Sequence, residues 1–148
     1  MISLTRSLAV LALLGAGAAA TAHEGASGDV KTRMEAMKTV ADNTKILGGM
    51  ATGKRAFDAA DAQAAAAVLE AEAARIPALF ESGEMSDVSE ASPEIWENWG
   101  DFTAKSEDLA VAAARAGDVT DLDGLRAAMG GIGGACKACH QDYRIEKD

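Results

Sequence analysis

Cys136-Lys137-Ala138-Cys139-His140 is the stretch on which the reading of this chain turns. On a helix, residues three and four apart share a face, so both thiols and the imidazole project to one side. CxxCH in this form is the attachment signature of a c-type haem: two thioether bonds to the porphyrin edge and an imidazole on the iron. Competing uses of the same residues are weaker. A structural zinc needs four protein ligands, and the chain has only two cysteines and two histidines. A thioredoxin-like CxxC needs a βαβ setting, and no strand pattern occurs. A plain disulfide between the two thiols is left open by spacing alone.

Upstream of the motif, Leu122, Leu125, Met129, Ile132, Cys136, Cys139 and Tyr143 recur at alternating steps of three and four, with Asp121 placed to cap the helix. Gly130, Gly131, Gly133 and Gly134 interrupt this run at a cost of roughly 3–4 kcal/mol of helix propensity. The expected reason is room for a porphyrin and for close helix packing. Ser92-Pro93-Glu94 starts the helix before it, with Ile95, Trp99, Phe102, Ser106, Leu109 and Ala113 as its seam and Gly117 as its end. Trp96 falls one residue off that seam. Residues 82–92 are polar, without period, and read as the longest loop, crossing one end of the domain.

Further back, a helix from about Asp58 to Glu81 is expected, capped by Asp58 or Asp61 and kinked by Pro77, with a seam at Ala60, Ala64, Val68 and Ala71 and with Ile76, Leu79 and Phe80 beyond it. A first helix begins near Asp29, with Val30, Met34, Met37, Ala41, Thr44 and Leu47 as its apolar row and a connection at Gly53-Lys54-Arg55. Four amphipathic segments, two short connections and one longer one predict an all-α fold, an antiparallel up-down-up-down four-helix bundle.

Arg6, the apolar run Leu8–Ala20 and Ala20-Thr21-Ala22 read as a secretory signal with cleavage after Ala22. Residues 1–22 are thus expected to be removed and residues 23–148 to form one periplasmic domain, where c-type haem is attached in bacteria. The apolar run is too short and too rich in alanine for stable membrane insertion. The formal net charge is −9, and loss of Arg6, the only charged residue of the signal, takes it to −10. Such a surface argues against nucleic acid and anionic lipid, and favours a basic docking face on any redox partner protein. Aromatics make up 4% of the chain, so the core has to rest on alanine, leucine, methionine and the cofactor.

Taken together, the pattern resembles class II c-type cytochromes, the cytochrome c′ family, over essentially all of residues 23–148. Most specific is Cys136-Lys137-Ala138-Cys139-His140-Gln141-Asp142-Tyr143-Arg144, near the C-terminus rather than the N-terminus. Ile95-Trp96-Glu97-Asn98-Trp99 is similar to the start of the family's third helix, and Arg33-Met34-Glu35-Ala36-Met37-Lys38 to its first-helix Arg-x-x-x-(Leu/Met). The family usually shows Tyr-Arg-Gln where this chain has Thr32-Arg33-Met34. The resemblance implies one covalent haem c on Cys136 and Cys139, with His140 as the axial ligand of its iron. It places Met37 on the distal face, Arg144 near the proximal side, Arg33 near a propionate and Trp99 at the haem pocket. It also implies a homodimer through the first two helices.

Function then depends on the sixth position of the iron. An empty or apolar position leaves a pentacoordinate, high-spin haem suited to electron transfer or to binding NO or CO. Ligation by the Met37 sulfur instead gives a low-spin electron shuttle of raised potential. The matched position holds a ligand in the low-spin subgroup and a non-ligating Leu or Met in the high-spin one. The CKACHQDYR ending is more like the high-spin members. A peroxidase-type enzyme would want a second histidine or a distal acid–base pair, and the sequence offers neither.

Overall fold

A computed structural model describes residues 25–146. The expected signal segment, its cleavage point and His23 lie outside the described residues. Helix α1 spans Gly28–Ala51, α2 Ala59–Phe80, α3 Glu94–Glu97, α4 Trp99–Gly117 and α5 Leu122–Tyr143. With the single turn α3 leading into α4, this is a four-helix bundle in which α2 packs on α1 and α4, and α5 packs on α4. Contact between α1 and α5 is much sparser, and the bundle gapes along that seam.

Local chemistry sets most boundaries where the sequence places them. The Asp58 carboxylate accepts the amide of Asp61 at 2.9 Å and the Asp121 carboxylate that of Gly124 at 2.8 Å, capping α2 and α5. α1 runs through Gly48 and Gly49 to Ala51, and the chain turns away at Gly53, whose φ of +74° is a left-handed conformation open to glycine at little cost. α2 continues through Pro77 to Phe80. The third segment departs from expectation. Ser92 Oγ accepts the Glu94 amide at 3.2 Å, but helical geometry lapses at Asn98 (φ −120°, ψ 42°) and resumes at Trp99.

Two seams also differ in phase. The buried row of α1 is Val30, Arg33, Ala36, Val40, Leu47 and Met50, and it packs in the core. Met34, Met37, Ala41 and Thr44, the remaining positions of the expected row, turn toward the gap beside α5. Both rows are real: this helix has a packing face and a cavity face. On α2 the first part of the expected seam, Ala60, Ala64, Val68 and Ala71, is solvent-exposed while Ala62, Ala65, Ala66, Leu69 and Ala73 are buried; Ile76 and Phe80, expected at its end, are buried as the sequence places them. In an alanine tract almost any phase looks apolar. The larger side chains Leu69, Ile76 and Phe80 decide it, because they bury the most surface.

The glycines of α5 are not a close-packing device in the observed bundle. A methyl added at Gly130, Gly133 or Gly134 would meet nothing within 4 Å, and one at Gly131 would make an ordinary 3.6 Å contact with Ala112. Gly130 and Gly134 also lie outside the gap. Gly130→Ala and Gly134→Ala should therefore each stabilise the folded protein by about 0.5–1 kcal/mol. Urea-denaturation midpoints of the two variants would show it, and a loss of stability in either would mean that its face has a contact of its own.

Candidate functional site

Between α1 and α5 lies a cavity of about 840 Å³. It is open to solvent along the seam and its wall is mostly apolar, so it has room for a large apolar guest.

The motif residues reach it from α5. Cys136, Cys139 and His140 all line the cavity, and no disulfide joins the two cysteines. Burial pushes the Cys136 thiol up and that of Cys139 to about 11, so neither is a reactive thiolate at neutral pH. Burial, with the nearby Arg144 cation, lowers the pKa of His140. A neutral imidazole is the form that binds a metal. Among the described residues no cluster of three His, Cys, Asp or Glu side chains could hold an ion by itself.

From α1, Met37 lines the same cavity, half-buried. Arg33 reaches it too, but its guanidinium is committed elsewhere. Nε donates to the Leu79 carbonyl at 2.7 Å, Nη1 to that of Glu84 at 2.6 Å, and Nη2 to the carbonyl and hydroxyl of Ser82 at 2.5 and 3.0 Å. Four contacts on five N–H donors leave little for a propionate. Arg144 caps the end of α5 in extended geometry and donates from Nε to Glu90 at 2.7 Å, at the cavity wall. Trp99 does not line the cavity. It packs half-buried on Phe102, ring centroids 5.7 Å apart, because α4 restarts after the lapse at Asn98.

Sequence reasoning missed two parts of the wall. Val88, Ser89, Glu90 and Ala91 of the aperiodic loop cover one side, held by an antiparallel bridge between Ala91 and Arg144 and by the Ile145 amide on the Glu90 carbonyl at 2.8 Å. Aperiodic sequence carries no signal for such a cover. Lys105 of α4 is the second, and it was within reach: it sits between the seam residues Phe102 and Ser106. Its ammonium lies 2.9 Å from Asp101 and 3.4 Å from Asp142. The cavity is thus lined by Arg33, Lys38, Lys45, Lys105 and Arg144 against one carboxylate, Glu90, in a protein of net charge −9. Two thiols, one neutral imidazole, a mostly apolar wall and a cationic lining fit a porphyrin that carries carboxylates.

Comparison with known proteins agrees. The family model for cytochrome c′ matches residues 29–144. The chain belongs to the cytochrome c′ family. A protein named cytochrome c-556 from Agrobacterium fabrum is 36% identical over 82% of this chain and 84% of its own length. A cytochrome c′ from Rhodopseudomonas palustris is 34% identical over 95% of each. Among solved structures, a ferrous variant of cytochrome c′ from Alcaligenes xylosoxidans with bound NO superimposes with a TM-score of 0.72 at 34% identity, over 80% of this chain and 94% of that one. As a family member, the chain is a c-type haem protein, with covalently attached haem c and its iron as cofactor.

The floor of the cavity carries a measurable signature. Tyr143 packs edge-on against Phe102 at 5.3 Å and donates its hydroxyl to Asp101 at 2.6 Å. Burial, then this hydrogen bond, pushes the phenol up to about 12. An unfolded tyrosine titrates near 10, so the stability from the neutral phenol is fully present below about pH 10 and is lost as pH rises toward 12. Tyr143→Phe should lower stability at neutral pH and flatten the decline above pH 10. Equilibrium denaturation of the two proteins from pH 8 to 12 checks both.

Proposed function

We propose that Cys136 and Cys139 hold the haem by two thioether bonds, that His140 is its axial ligand, and that Met37 screens the opposite face without a lasting bond. The observation that carries this is the convergence of all four side chains on one cavity. A haem held by these residues would supply a redox-active iron able to bind a small neutral gas. The chain's own residues decide what reaches it. Met37, Ile76, Phe80 and Leu109 make an apolar wall, and water or small anions entering such a wall carry a desolvation cost that NO and CO do not. The NO-bound relative supports gas binding of this kind. The protein is on this reading a pentacoordinate haem protein of electron transfer or gas binding, not a peroxidase.

Export to the periplasm accords with the N-terminal signal pattern, and among the described residues no helix is long and apolar enough to cross a membrane. A homodimer through α1 and α2 accords with the outward stripe Ala64 and Val68, which borders a shallow groove with Asn43, Ile46 and Arg55.

Two experiments test the assignment. Wild-type pigment should stay with the polypeptide in acid acetone, and Cys136→Ala combined with Cys139→Ala should release it. Free extraction from the wild type would refute covalent attachment at the motif.

Met37→Ala should speed CO binding to the ferrous protein while the spin state without CO barely changes. A low-spin wild-type spectrum that turns high-spin on Met37→Ala would instead assign the sulfur to the iron and make the protein an electron shuttle.

A further inference from the structure

Backbone pairing fastens the covering loop to the residues that follow His140. The Ala91–Arg144 bridge is flanked by the Ser92 amide on the Tyr143 carbonyl at 3.0 Å and the Ile145 amide on the Glu90 carbonyl at 2.8 Å. The Arg144 amide in turn donates to the His140 carbonyl at 3.2 Å, where α5 closes. Main-chain bonds thus link Glu90 to the end of α5, and that end to the residue that carries the imidazole.

The side chains extend the link. Arg144 Nε donates to the Glu90 carboxylate at 2.7 Å, and among the described residues neither side chain has another partner. Glu90 takes Nε alone, so the four Nη hydrogens of Arg144 stay unengaged at the cavity wall. Among the described residues Glu90 is also the one carboxylate that lines the cavity, which His140 lines as well. The pKa of His140 is low mainly through burial; Arg144 lowers it further and Glu90 raises it, so both charges act on the imidazole. At 51% and 44% exposure the pair adds little to stability. Its effect is to fix two opposite charges beside the imidazole.

We propose that Glu90 is a positioning residue for the iron site: it holds the Arg144 guanidinium beside His140 and balances its charge, which keeps the reduction potential below the value that Arg144 alone would set. This rests on His140 being the axial ligand, as proposed above, and gives the loop a part in tuning that iron. Ferric haem carries one more positive charge than ferrous haem, so a nearby cation favours reduction and a nearby anion opposes it. Arg144 and Glu90 are a hydrogen bond apart, so at the iron their charges largely cancel.

The test is the reduction potential of the haem-loaded protein, titrated spectroelectrochemically at low ionic strength. Glu90→Gln keeps the shape and an acceptor for Arg144 Nε while removing the charge. It should shift the reduction equilibrium about two- to fivefold toward the ferrous form, which is about 18–41 mV upward at 59 mV per tenfold. Arg144→Gln should shift it downward by a similar factor, and the two combined should return it close to the wild-type value. Glu90→Asp, which keeps the charge, should also stay close to wild type. Glu90→Ala serves for the same comparison should the glutamine variant fold poorly. The shifts should shrink in 1 M salt, where the screening length is about 3 Å, because the pair is half-exposed. Were the contact only a pin for the loop, charge would not matter. Unchanged potentials in the charge-removing variants, or the same upward shift in Glu90→Asp as in Glu90→Gln, would overturn the proposal. Resonance Raman spectra of the ferrous wild type read the ligation separately. An iron–histidine stretching band together with unmoved potentials overturns this proposal alone, and absence of the band overturns the ligation with it.

Discussion

The carbonyls of Leu79, Ser82 and Glu84 converge on a single buried guanidinium, that of Arg33, and the geometry of the cavity depends on this convergence. The last carbonyls of a helix lack partners within it, and here a cation from α1 satisfies the Leu79 carbonyl near the end of α2. The rings of Phe80 and Trp96 flank the same group, 4.7 and 5.6 Å from its carbon. Burial lowers the pKa of Arg33, and Asp29 and Glu84 oppose that by holding the charge. One side chain thus joins the start of α1, the end of α2 and the following loop. Without it, the carbonyls of Leu79, Ser82 and Glu84 would all lose this partner at once.

That loop is tied at its other end as well. The Ser92 amide bonds the Tyr143 carbonyl at 3.0 Å, and the Arg144–Glu90 pair lies beside it. Between the two ties the segment passes over the cavity and contributes Val88, Ser89, Glu90 and Ala91 to its wall. The residues after His140 are therefore more than a frayed end. They hold the cover in place next to the imidazole.

Small side chains create the gap that all this surrounds. Ala62, Ala65, Ala66 and Ala73 on α2, with Ala112, Ala113 and Ala116 on α4, are buried and let those helices pack closely. The aromatic rings gather at one end instead: Phe80, Trp96, Trp99, Phe102 and Tyr143 form a continuous chain of ring contacts. Tight packing of α2 with α4 and sparse packing of α1 with α5 leave the volume on the side where the CxxCH motif lies. The cationic lining then distinguishes this concavity from the acidic exterior, as suits a guest with carboxylates.

Much of the molecule was legible in the order of its residues. The helix count, the caps at Asp58 and Asp121 and the character of the motif all rest on chemistry local to a few neighbouring positions. Residues three or four apart on a helix must share a face, so Cys136, Cys139 and His140 could be placed together without knowing what they faced. Even the cavity row Met34, Met37, Ala41 and Thr44 was visible, although as a seam. What local chemistry could not supply was the partner of each face. The phase of α2 was ambiguous because alanine is apolar in every direction, and only the burial of Leu69, Ile76 and Phe80 resolved it. Arg33 was placed at a propionate because the carbonyls that occupy it come from residues 46 to 51 positions away. The covering loop has no period to read. Such facts depend on contacts between distant segments, and the tertiary structure alone decides them.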